Sequence, residues 1–120
     1  MDSETKIQDI KDCVKKYCED RDWDKFHNPK ELAIGIITES SELLEHFRFK
    51  SDLEMEEFFK DSKKREEIED EMADVLYFLF RLAQKYNVDL SESFKRKMRK
   101  NEIKYPIEKA KGSNKKYTEF

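Results

Sequence analysis

Two short acidic pairs stand out in this chain: Glu39-Ser40-Ser41-Glu42 and Glu71-Met72-Ala73-Asp74. In each, the acids are three residues apart, and on a helix residues at that spacing share a face. Both pairs have apolar surroundings. Glu39 falls on the stripe of Leu32, Ile36 and Leu43, while Glu71 and Asp74 share a side with Val75 and Phe78. Carboxylates set against apolar surface are costly unless positive charge compensates them. A hard divalent cation is the obvious compensation, because such ions prefer oxygen ligands. Other acidic runs, such as Glu54-Glu56-Glu57 and Glu66-Glu67, read as ordinary solvated charge.

The donor set narrows the chemistry. Oxygen-only ligands suit Mg2+, with Mn2+ the alternative. A carboxylate-bridged di-iron bundle would add Glu-x-x-His motifs on two helices. Here no His stands three residues after Glu42 or Glu71; His46 comes four after Glu42. Cys13 and Cys18, five apart, match neither CxxC nor a zinc framework and read as reduced thiols in or near a core. Lys109-Ala110-Lys111-Gly112-Ser113 lacks the GxxxxGK[ST] pattern of a phosphate-binding loop. Phosphate chemistry would therefore fall to metal and basic side chains.

The elements that must position these acids are helical. Charged residues make up 44% of the 120 and apolar ones 37%, with only two Gly and two Pro. So few breakers in a single-domain length favour long helices over a turn-rich β fold. The spacing predicts four helices: about Ser3 to Cys18, Pro29 to about Phe49 with Asn28 as N-cap, about Arg65 to Tyr86, and a basic one opened by Ser91 and ending near Lys104 before Pro106. A short amphipathic piece around Leu53, Met55, Phe58 and Phe59 lies between the second and third. The third is apolar most of the way round and should be central. If it lies antiparallel to the second, the two acidic pairs come face to face, the 28 residues from 43 to 70 allowing the return. The expected organisation is an all-α domain over residues 1–108 and a polar, flexible tail over 109–120. A bundle this small leaves apolar surface, so a homo-oligomer is expected. The formal charge of −3 argues against a nucleic acid polymer as partner. No apolar run approaches a membrane span and the polar N-terminus reads as no signal peptide, so a cytoplasmic protein is expected.

The pattern ExxE, 28 residues, ExxD resembles the all-α nucleoside triphosphate pyrophosphohydrolases of the MazG-like superfamily. Two blocks resemble its dCTP pyrophosphatase branch: Asp22-Trp23-Asp24-Lys25-Phe26-His27-Asn28-Pro29, and Lys97-Met98-Arg99-Lys100-Asn101 with Lys104-Tyr105-Pro106. The resemblance implies a four-helix, homodimeric or homotetrameric enzyme that uses Mg2+ to convert a deoxynucleoside triphosphate to its monophosphate and pyrophosphate. It implies Glu39, Glu42, Glu71 and Asp74 as metal ligands, and Trp23, Asp24, Lys25, Phe26 and His27 as part of the nucleotide pocket. Phe49 stands where the branch usually has an aromatic residue after the second helix. Val14 replaces a His, and Phe78 a Tyr, that the branch often carries. Those changes remove polar partners from the pocket and predict looser base discrimination.

Four carboxylates would repel a triphosphate, since like charges ~4 Å apart cost roughly 4 kcal/mol per pair at an effective dielectric of ~20. Metal between protein and substrate is thus required. Glu42 and Glu45 are the candidates for positioning the attacking water, and Lys97, Asn101 and Lys104 for binding phosphate oxygens. Trp23 and Phe26 are candidates for stacking on the base, with core packing the competing role. The rival from another class is a non-enzymatic helical dimerisation module whose acids are solvated or hold structural cations.

Overall fold

The computed structural model describes residues 1–120. Six α-helices follow one another: α1 (Ile7–Asp20), α2 (Pro29–Glu45), α3 (Asp52–Phe58), α4 (Ser62–Lys85), α5 (Leu90–Lys104) and α6 (Ile107–Ala110). Short 3-10 turns occupy Asp24–Phe26 and Tyr117–Glu119. The chain divides into two compact units, Met1–Asn87 and Val88–Phe120.

The expected all-α class holds, while the expected four helices become six. Two short helices account for the difference. The amphipathic piece after residue 50 is a helix in its own right because Ser51 and Glu54 form a reciprocal cap: the Ser51 hydroxyl accepts the Glu54 N–H at 3.2 Å and the Glu54 carboxylate accepts the Ser51 N–H at 3.3 Å. The other, α6, starts after Pro106, which breaks α5 but is compatible with a new helix start. Boundaries also differ: α1 starts at Ile7 rather than near Ser3, and α4 at Ser62 rather than near Arg65. Ahead of α5 the cap is Asp89 rather than Ser91, its carboxylate accepting the Glu92 N–H at 2.8 Å. Helix α2 stops at Glu45, short of Phe49, which adopts a left-handed φ of 63° that no helix continues through. Its start is as expected, with the Asn28 side chain accepting the Glu31 N–H at 2.8 Å and Pro29 in the first turn.

In the first unit α4 packs against both α1 and α2, as its wide apolar circumference requires. Val14 and Cys18 of α1, Leu32 of α2, and Ile68, Phe80 and Ala83 of α4 form the buried core. The α2–α4 pair is antiparallel: Gly35 meets Phe78, Glu42 meets Glu71, and His46 meets Lys64. At the first of these crossings the Phe78 ring lies directly on the Gly35 backbone, in space a side chain would fill. In the second unit, Tyr105 holds Tyr117 and Phe120 edge-on at 5.9 and 5.8 Å.

Candidate active site

Antiparallel packing brings the two acidic pairs together. Oxygens of Glu39, Glu42 and Glu71 all lie within 4.8 Å of one another. Asp74, one turn along α4 from Glu71, lines the adjoining cleft with Glu39. One oxygen of Glu39 and one of Glu71 are shielded from water without a hydrogen-bond donor. Burial, then the neighbouring Glu42, pushes the Glu39 carboxyl up to about 7; burial and Glu42 likewise raise Glu71. Burial and mutual repulsion thus disfavour the charged carboxylates unless a proton or a cation compensates them. The donor set is all oxygen, open to solvent through Glu42, and so fits a hard divalent ion.

His46 stands beside this cluster. Its Nε2 is 3.9 Å from Glu71 Oε1, and its Nδ1 lies 2.8 Å from the Lys64 ammonium. An ammonium only donates, so Nδ1 accepts and the ring proton sits on Nε2, facing Glu71.

The cleft beside the acids has a volume of about 450 Å3 and is lined by Cys13, Val14, Tyr17, Trp23, Glu39, Asp74, Tyr77 and Phe78. Its aromatic wall is built edge to face: Tyr17 lies 5.6 Å from Trp23 and 5.8 Å from Tyr77, and Tyr77 lies 5.0 Å from Phe78. The Tyr77 hydroxyl contacts Cys18 Sγ at 3.2 Å. One end is therefore acidic and the other aromatic, in a volume typical of small-molecule sites.

Of the residues expected to face a nucleotide, Trp23 and Phe78 line the cleft. Asp24 and His27 instead turn toward α4, where Arg81 and Lys85 hold them. Lys25 pairs with Asp22 at 3.0 Å, and Phe26 is exposed. Phe49 is 90% exposed under the Arg48 guanidinium. Glu45 is also exposed and pairs with Arg48 at 3.5 Å rather than joining the acid cluster. Lys97, Asn101 and Lys104 lie on α5 in the second unit, Lys104 over the Tyr117 ring at 4.9 Å.

Arg81 was not among the expected site residues. Its signal in the sequence is a lone cation between Phe80 and Leu82, in the most apolar part of α4. It is 1% exposed, and a guanidinium so placed must find partners. It finds three, donating from Nε to His27 Nδ1 at 2.9 Å, from Nη2 to Asp24 Oδ1 at 2.8 Å and from Nη1 to Gln84 Oε1 at 2.5 Å. Lys85 adds bonds to the backbone carbonyls of Asp24, at 2.7 Å, and of His27. Although burial opposes ionisation of Asp24, Lys85 and then Arg81 outweigh it and hold that carboxyl below its ordinary value. Burial and the same two cations keep His27 neutral by lowering it.

An acid cluster between antiparallel helices, facing an aromatic cleft, defines an all-α protein with carboxylates grouped so that they could hold a divalent metal. The MazG-like family matches residues 34–120. The chain is 35% identical over 117 residues to mouse (Mus musculus) dCTP pyrophosphatase 1 and 34% identical to the human (Homo sapiens) protein of that name. Each alignment covers 98% of this chain and 69% of the relative. Among solved structures, a pyrophosphatase from Archaeoglobus fulgidus superposes with a TM-score of 0.76 at 39% identity, covering 82% of this chain and 91% of that one. The chain belongs to the MazG-like family, on the branch of the dCTP pyrophosphatases.

Proposed function

We propose that this protein converts a deoxynucleoside triphosphate, dCTP-like substrates favoured, to the monophosphate and pyrophosphate with Mg2+ as cofactor. It is a nucleoside triphosphate pyrophosphatase, a hydrolase of phosphoanhydrides, as its family and its pyrophosphatase relatives establish. The observation that carries the finer reading is the pairing of orphaned carboxylate oxygens on Glu39 and Glu71 with an aromatic cleft next to them.

Glu39, Glu42, Glu71 and Asp74 would hold the metal. Bound there, Mg2+ supplies positive charge to the phosphates and makes water a better nucleophile at neutral pH. Trp23 and Phe78 wall the nucleoside, fixing the triphosphate over the acids. Glu42, exposed and grouped directly with Glu39 and Glu71, is the carboxylate best placed to orient the water and take its proton. Water adds to the α-phosphorus as the bond to the bridging oxygen breaks, and pyrophosphate leaves. Lys97, Asn101 and Lys104 of the second unit are candidates for phosphate binding by their charge and hydrogen-bonding capacity.

A homo-oligomer fits the surface. Ile34, Ile37 and Leu44 of α2 and Met72, Leu76 and Leu79 of α4 all leave large apolar areas exposed. Such area is typical of a face covered by another subunit. No helix is long and apolar enough to cross a membrane.

The test is release of pyrophosphate from a panel of nucleoside triphosphates with and without Mg2+. Mg2+-dependent release, fastest with dCTP or a related pyrimidine, is the expected result. No release from any nucleotide at millimolar Mg2+ would refute the assignment.

A further inference from the structure

Two cations of α4, Arg81 and Lys85, bind one short loop through four hydrogen bonds and a Lys85–Asp24 ion pair at 3.4 Å, and touch none of the acids of the cluster. Arg81 takes the side chains of Asp24 and His27; Lys85 takes their backbone carbonyls. The bond that Arg81 donates to Gln84 Oε1 fixes the guanidinium on its own helix. The arginine fork is rigid, and with three partners in one plane it sets both the position and the tilt of the loop. Because Nε only donates, His27 must accept at Nδ1, which locks the ring orientation as well. Directly before this loop stands Trp23, part of the cleft wall and the only tryptophan of the chain.

We propose that Arg81 is a positioning residue for the substrate: it clamps residues 24–27 to α4 so that Trp23 stands as a fixed wall for the nucleobase. This rests on the nucleotide reading above, and it assigns Asp24 and His27 to the clamp rather than to direct contact with the base. Stability alone is a weak reason for the arrangement. Replacing a buried ion pair by apolar side chains is often neutral or stabilising, and Asp24, with 64% of its side chain exposed, keeps Lys85 when Arg81 is lost. An unstacked, mobile Trp23 is the specific loss.

The lone tryptophan makes the clamp measurable without turnover. In Arg81→Met and in Asp24→Ala, acrylamide quenching of Trp23 fluorescence should rise about twofold. The Michaelis constant for dCTP at saturating Mg2+ should rise about tenfold, the size expected when a stacking wall is lost, with turnover changed less than about threefold. Arg81→Lys, which cannot hold both side chains, should rescue only part of either effect. Unchanged quenching in both variants, or a loss of turnover at unchanged Michaelis constant, would overturn the proposal. If Arg81→Met does not fold, Asp24→Ala decides alone, since it leaves Arg81 in place with its bonds to His27 and Gln84. If the wild-type protein hydrolyses no nucleotide, the functional reading fails, and the quenching data still decide whether the clamp holds Trp23.

Discussion

Replacing Gly35 by alanine should unsettle the α2–α4 crossing and the cleft at once. A Cβ at this position would stand 2.5 Å from Cε1 and 2.7 Å from Cγ of Phe78, distances no real methyl group tolerates. The ring must swing away or the helices must part. Overpacking of this kind costs about 1–3 kcal/mol. Against it stands the helix propensity of alanine, which favours the variant by about 1 kcal/mol in a helix interior. The net is a destabilisation of roughly 0–2 kcal/mol, worth about 0–8 °C in the thermal midpoint. Propensity alone predicts a rise, so the sign of the shift separates the two effects. Phe78 also lines the cleft, so the displaced ring should raise the Michaelis constant for dCTP whatever the change in midpoint. Thermal melts by circular dichroism and steady-state kinetics on the same preparation provide both numbers. A variant more stable than wild type with unaltered kinetics would refute the close-contact argument.

Three further outcomes can be checked. Glu42→Ala and Asp74→Ala should each abolish pyrophosphate release while leaving helix content intact; near-normal turnover at saturating Mg2+ would remove these residues from the site. Because folding raises Glu39 from 4.5 to about 7 and raises Glu71 as well, the metal-free folded protein keeps protons that the unfolded chain has released. Its stability should therefore be greatest below about pH 4.5 as far as these groups contribute, fall as pH rises through 7, and recover with Mg2+; a metal-free melting temperature unaffected by Glu39→Gln at pH 8 would contradict this. Trp23→Ala should raise the Michaelis constant about tenfold or more with a smaller effect on turnover, since stacking acts in ground and transition states alike.

What the sequence reveals about the site follows from how local the signals are. The acidic pairs are visible because each is set by one helix period, and Glu39 and Glu71 break apolar stripes that a pure core would keep. Their meeting depends only on α2 and α4 being antiparallel, which the connection length already favours. The loop is harder. Trp23, Asp24, Lys25, Phe26 and His27 are adjacent in the chain, yet they part company in space: Trp23 faces the cleft, Asp24 and His27 face α4, and Phe26 faces solvent. No period governs a 3-10 turn of three residues, so adjacency there says little about shared direction. The partner that sorts them, Arg81, is more than fifty residues away and looks from the sequence like a mere interruption of a hydrophobic helix. Tyr17 shows the converse: it falls on one stripe of α1 with Ile7, Ile10 and Val14, yet it is 41% exposed and packs edge-on against Trp23. The residues that break the local pattern (Glu39, Glu71, Arg81 and the close-packed Gly35) are those on which the cleft depends. Each is locally unfavourable where it stands, and each makes sense only through a partner on another segment.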